Sequence, residues 1–173
     1  MNLSKLKESR LRKKFNKIVL KLQDSRAVPQ KEILTVGILT SETISSAIDV
    51  QSEIETVLAL NNSQLYSFKK FNKLDEISLT CFSEKDVNWR GNFTESNFKK
   101  FLEQPFDLLV GYFNHQHLYL EKAVLESKAT FKVGFSGVNS KLYELEIATE
   151  IENIKQFSSE LKKYLQILKK LKN

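Results

Sequence analysis

Near the N-terminus apolar residues recur at three- and four-residue steps, at Leu3, Leu6, Leu11, Phe15, Ile18, Val19 and Leu22. That spacing predicts a helix over residues 3–24 with one apolar stripe and otherwise Lys- and Arg-rich faces. Pro29 follows Val28 and ends it, because proline disfavours a helical residue before it. The run from Ile33 to Leu39 is aliphatic and β-branched with few polar positions, as in a strand buried on both faces. A helix over 46–60 comes next, with Ser46 and Asp49 at capping-box spacing and Asn61 to Ser63 at its end. Leu65 to Phe68 and Ile77 to Phe82 read as the second and third strands. Residues 83–92 read as a loop, and Phe93, Phe98, Phe101 and Leu102 mark a short helix stopped by Pro105. Phe106 to Phe113 is the clearest strand, followed by a helix over 115–127. Phe131 to Phe135 and Tyr143 to Ile147 give strands five and six, and a helix over 151–171 closes the chain.

Alternating strands and helices imply right-handed crossovers and a three-layer, Rossmann-like α/β fold. The expected sheet is mostly parallel, with five or six strands and an appended amphipathic N-terminal helix. At 173 residues the chain fits one domain of ordinary size. The expected division is a basic helix and linker over 1–30 and a single α/β domain over 31–173.

Charge adds a feature that the hydropathy pattern does not contain. Residues 1–26 hold nine bases and two acids, 27–154 hold 12 bases and 18 acids, and 155–173 hold six bases and one acid. An acidic body is thus bracketed by basic ends, which points to an anionic counterpart in the body or in a partner. Lys outnumbers Arg 23 to four, a bias of the kind an AT-rich genome imposes, yet Arg10, Arg12 and Arg26 all fall in the first block. Arg is the better fork for phosphate and carboxylate, so that clustering carries more than the Lys excess does. The single cysteine, Cys81, excludes an internal disulfide, and the N-terminus lacks the apolar core of a signal peptide. No run approaches the ~18 apolar residues of a bilayer span. A reducing, cytoplasmic location is expected, with the N-x-S/T matches at Asn2, Asn61 and Asn92 as chance.

Phe106 to Phe113, the Leu-rich helix after it and Ser127 to Phe135 resemble an uncharacterised conserved family of flavobacteria and related Bacteroidota. The basic opening helix, Val36 to Leu39 and Glu160 to Leu165 fit the same family. The resemblance implies a bacterial cytosolic protein and carries no activity. A shorter likeness, over about the same Phe-Asp-Leu-Leu strand, helix and Lys-Val-Gly-Phe segment, is to the N-terminal Rossmann half of heptosyltransferase-type glycosyltransferases. Those enzymes bind the nucleotide sugar largely through a second Rossmann domain, so the likeness bears on fold and not on activity.

Ligands of open α/β sheets sit beyond the carboxyl ends of the strands. The residues expected there are Ser41 after strand one, Cys81 after strand three, Asn114 and His115 after strand four, and Ser136 and Asn139 after strand five. Neither G-x-G-x-x-G nor the Walker pattern occurs, so no cofactor is expected. Gly37 lies inside its strand and reads as a close-packing position against a helix. Cys81 and His115 are the one pair resembling a nucleophile and base, but no third group orients them, and a buried Cys with a surface His explains both. His115 and His117 start a helix and cannot share a face there, so no metal site is expected. Asp107 opens a central strand, where capping a neighbouring backbone or pairing with a Lys accounts for it. Trp89 beside Arg90 suits a recognition surface if exposed, but a place tucked against the core is favoured.

The basic helix admits several partners. Lys5, Lys7, Arg10, Arg12, Lys13, Lys14, Lys17, Lys21 and Arg26 suit phosphates of RNA or a ribonucleoprotein, with salt-sensitive binding. The stripe suits an anionic membrane surface, although it lacks an anchoring Trp. It also suits docking on the acidic body or on the C-terminal helix, leaving the Lys solvated, and a removable transit peptide is a minor alternative. The sequence therefore favours a non-enzymatic binding module that presents a basic helix to an anionic partner, RNA ahead of membrane. The alternative is a nucleotide- or sugar-phosphate-binding domain or enzyme using the carboxyl edge, and a third possibility is a subunit whose apolar helices assemble with a protein partner.

Overall fold

The computed structural model describes residues 2–22 and 27–172. Helix α1 spans Leu3–Leu20 and is capped by the Asn2 side chain, which accepts from the Ser4 N–H. Then come β1 (Val36–Ser41), α2 (Glu42–Ser45), α3 (Val50–Leu58), β2 (Gln64–Phe68), β3 (Cys81–Phe82), α4 (Ser96–Glu103) and β4 (Leu108–Tyr112). Helix α5 (Leu118–Glu126), β5 (Phe131–Phe135), β6 (Leu145–Ile147) and α6 (Ile154–Ile167) complete the chain. The strands form one all-parallel sheet in the order β3-β2-β1-β4-β5-β6. The chain leaves β1 in one direction and β4 in the other, so right-handed crossovers place α3 and α5 on opposite faces. Helix α6 returns to pack on α3, and α1 packs on α5. The α/β, Rossmann-like architecture expected from the alternation is thus present.

The differences from expectation lie at element ends, each with a local cause. The first strand begins at Val36 and not at Ile33, because the preceding backbone donors have other partners. Ile33 N–H donates to the Lys170 carbonyl, and the Leu34 and Thr35 N–H groups donate to Asp107 Oδ2 at 3.0 Å. Asp107 also accepts from Thr35 Oγ1 and pairs with Lys31, so it caps backbone and neutralises a lysine together. The helix expected over 46–60 is the shorter α3, Val50–Leu58, and the separate short helix α2, Glu42–Ser45, precedes it. Ser41 caps α2, Asp49 caps α3 by accepting from the Ser52 N–H, and Ala59 ends α3 in the left-handed region at φ 53°. The third strand is confined to Cys81–Phe82, since residues 71–80 are exposed and their apolar members are not buried.

Strands β4 and β5 are buried along their whole length. Gly111 and Gly134 are register partners there, and the Tyr143 ring lies over both. Any Cβ at Gly134 would overlap that ring. Gly37 is a close-packing position as expected, but the neighbour is the Phe106 side chain, 2.8 Å from where a Cβ would stand, and not a helix. At the C-terminus Lys170 is buried, donates to the Pro29 carbonyl at 2.6 Å and lies over the Phe131 ring. One base of the C-terminal block is therefore structural and ties down the linker after α1.

Candidate functional site

Helix α1 divides its residues among three surroundings. Leu11, Phe15 and Val19, four apart, are buried and join the main core. Leu3, Leu6 and Ile18 of the expected stripe stay exposed, as does Leu20. The cause is angular position: at about 3.6 residues per turn Leu6 and Leu20 lie on the side of the helix away from the Leu11, Phe15 and Val19 line, Leu3 stands before that line begins, and Ile18 flanks it.

The flanks of that buried line hold bases whose charge is partly committed. Lys7 Nζ donates to the Glu84 carbonyl at 2.8 Å, and Lys14 Nζ donates to the Arg90 carbonyl at 2.6 Å. Burial lowers the Lys7 pKa, with Glu84 opposing that shift. Arg12 pairs with Glu8 one turn away on α1. Lys5, Arg10, Lys13, Lys17 and Lys21 are exposed. Arg10, Lys13 and Lys17 follow one another at three- and four-residue steps and so share one face. Arg26 lies outside the described residues.

Residues 83–92, read from sequence as a loop, are built, and Phe93, expected in the helix that follows, belongs to the same structure. A 3-10 turn over Glu84–Asp86 is closed by a reciprocal cap with Ser83, and Val87 then bridges antiparallel to Phe93. The tip between them carries Trp89 and Arg90. Trp89, for which the sequence favoured a place tucked against the core, is instead exposed, at 46%. Gly91 is buried under Leu11 of α1.

At the other candidate region, the sheet order reverses between β1 and β4, which makes that pair the topological switch point. Ser41 ends β1, where its hydroxyl accepts from the Ile44 N–H. Asn114 and His115 follow β4 and are exposed, with His115 Nδ1 3.3 Å from Asn114 Oδ1. Ser136 is exposed after β5, and Asn139 accepts from the Lys141 N–H. Cys81 stands apart on edge strand β3, three places from β4 in the sheet, and is not brought into a bond with His115.

Sequence reasoning missed the more buried pair at this edge, His117 and Glu121. His117 Nδ1 caps α5 by accepting from the Leu120 N–H at 3.2 Å, which makes it the unprotonated nitrogen, and the ring packs edge-on against Phe68 at 4.4 Å. Burial lowers the His117 pKa, and the neighbouring His115 adds to the effect. The Glu121 carboxylate, 4% exposed, accepts from the His117 N–H at 2.7 Å and from Asn139; burial raises its pKa against those bonds. The four-residue spacing of His117 and Glu121 at a helix start was the available signal. Behind them the Tyr143 hydroxyl is buried without a hydrogen-bond partner, and burial pushes its pKa far up.

Among the described residues no group of three or more His, Cys, Asp and Glu could hold a metal ion, and no described helix is long and apolar enough to cross a membrane. The β2–β3 segment exposes Phe71, Leu74, Ile77 and Leu79 beside a cleft of about 220 Å³ lined by Cys81 and Phe82, among others.

The model of a family described as of unknown function, DUF6913, matches residues 7–168. The chain belongs to DUF6913. The match starts within α1 and runs beyond α6, so the docked part of α1 is part of what defines DUF6913. It carries neither the flavobacterial origin nor the glycosyltransferase likeness expected from the sequence. No curated protein and no solved structure matches this DUF6913 chain.

Proposed function

We propose that this DUF6913 chain is a non-enzymatic cytoplasmic module that binds an anionic polymer, RNA or a ribonucleoprotein, through the outer face of α1. One observation carries the reading: α1 commits Leu11, Phe15 and Val19 to the core and leaves Arg10, Lys13 and Lys17 on an exposed face. The same observation weighs against a membrane surface, because Leu11, Phe15 and Val19 are already covered and the exposed Leu3, Leu6, Ile18 and Leu20 are split between the two ends of the helix. Basic side chains on a docked helix are held in fixed relation to one another, which suits a phosphate chain of regular spacing. Replacing Arg10, Lys13 and Lys17 together by Glu tests the reading in titrations with labelled RNA, DNA and anionic vesicles. Loss of RNA binding with an unchanged melting temperature is the expected result, whereas wild-type protein that binds none of the three overturns it.

A second reading rests on the switch point between β1 and β4, where Ser41, Asn114, His115, Ser136 and Asn139 line the carboxyl edge of the sheet. There a nucleotide or sugar phosphate would sit. A thermal-shift screen of such ligands decides, since saturation at about 100 times the dissociation constant adds about 2.7 kcal/mol.

A further inference from the structure

The hairpin tip beside α1 adds to the basic face something that phosphate binding alone does not need. Val87 and Phe93, both buried, anchor its two arms. Within the tip, Asn88 N–H donates to the Asn92 carbonyl and Gly91 N–H to the Asn88 carbonyl, each at 3.0 Å. The Asn88 side chain accepts from the N–H groups of Arg90 and Asn92, also at 3.0 Å. Gly91 takes φ +88°, a region that favours glycine, and thereby tucks under Leu11. From α1, Lys14 reaches the Arg90 carbonyl. The turn is thus fixed from within and from the helix, and it holds out Trp89 and Arg90 at the flank of α1 marked by Lys14, which is one helical turn from Arg10 and from Lys17.

An indole left half in water on a rigid turn is a large, flat apolar surface whose ordering cost is already met by the fold. Its immediate neighbours, Asn88, Arg90 and Asn92, are polar and not an apolar cluster, so the tip lacks the company of a membrane-inserting loop. Cationic side chains that track a backbone, with an exposed aromatic face alongside, match the requirements of an unpaired strand: phosphates to the bases and a nucleobase onto the ring. A duplex satisfies only the first, because its bases are stacked inside.

We propose that Trp89 and Arg90, with Lys14 and Arg10 of α1, form a stacking site for an unpaired base, so that the favoured ligand is single-stranded nucleic acid. This deepens the α1 reading and rests on it. Trp89 is the only Trp in the chain, so its own fluorescence reports occupancy. The test titrates the full-length protein with a short oligouridylate, the matching oligothymidylate, an RNA duplex of equal length and phosphatidylglycerol-containing vesicles. Single strands are expected to quench Trp89 emission and to bind more tightly than the duplex, and the two oligonucleotides separate RNA from DNA as the source. Trp89→Ala should weaken single-strand binding about five- to 150-fold, the equivalent of one stacked base, while Trp89→Phe retains most of it and duplex binding is unmoved. Equal binding of single strand and duplex without quenching overturns the stacking site and leaves the α1 reading standing. Absence of binding to every nucleic acid removes both. A blue shift with vesicles and no response to oligonucleotides overturns both in favour of a lipid surface.

Discussion

If α1 is fixed to the body by Leu11, Phe15 and Val19, Phe15→Ala should be among the more costly single changes on that helix. The ring is 6% exposed and lies at the middle of the three-residue buried line. Removing a buried Phe side chain costs about 3–5 kcal/mol, from the transfer of its atoms and the cavity left behind. The lower end applies here, because α1 is at the periphery and can settle onto α5 after the change. A loss of ~3 kcal/mol in a chain of this size lowers the melting temperature by about 6–12 °C. Urea melts and amide exchange report different parts of the effect. Should α1 unfold with the core, the midpoint drops at constant slope; should it detach first, exchange in α1 speeds up while β4 and β5 amides keep their protection. Arg10→Ala on the outer face is the control and should stay within about 0.5 kcal/mol of wild type. A Phe15→Ala protein with unchanged midpoint and unchanged α1 exchange would refute the docking of α1, and with it the assignment of an outer face.

Further expectations concern the body. The hydroxyl of Tyr143 is buried without a partner, so Tyr143→Phe should stabilise the protein by about 1 kcal/mol in urea melts; a clear loss would mean that the hydroxyl is bonded. Gly134→Ala collides with the same ring and should cost about 1–3 kcal/mol or more, read as a lower thermal midpoint. The pKa of His117 is lowered from 6.5 in the fold, so the unfolded chain binds more protons below that pH. Its contribution is therefore full above pH 6.5 and falls as the pH drops below it, and His117→Asn, which keeps an acceptor at the cap, should flatten that part of a stability–pH profile. Asp107 behaves as a carboxylate of low pKa: burial opposes its ionisation, but bonds from Lys31, Leu34 and Thr35 outweigh burial. Its stabilisation is present above 3.8 and is lost as the pH falls through the lowered value, a loss that should be absent in Asp107→Asn.

Fold and site were legible in the sequence to different degrees, for physical reasons. Phe131 to Phe135 matches β5 to the residue because a strand buried on both faces writes an unbroken apolar run. The first strand was placed about three residues early, since Ile33 and Leu34 are apolar while their N–H groups belong to Lys170 and Asp107, partners distant in sequence. Residues 77–80 alternate like a strand but are exposed, and local pattern contains no record of burial. The amphipathic character of α1 was plain, yet which of its apolar residues would be covered depended on which line of the helix meets α5 and the hairpin tip, elements far away in sequence. The hairpin tip was visible as Trp89, Arg90 and Gly91, but its place against Leu11 and Lys14 is a tertiary fact. His117 and Glu121 gave the faintest signal, because a His cap looks like any surface His until the chain is folded.

The slope of binding affinity for a short single-stranded RNA against salt concentration, on a double logarithmic scale, tests the central claim most directly. Each phosphate neutralised on a single strand contributes about −0.7 to that slope, so contact through Arg10, Lys13, Lys17 and Arg90 predicts about −3. Replacing Arg10 and Lys17 by Gln should return it toward about −1.4. A wild-type slope near zero, or one that the double replacement leaves unchanged, would contradict the assignment of the α1 outer face as the anion-binding surface.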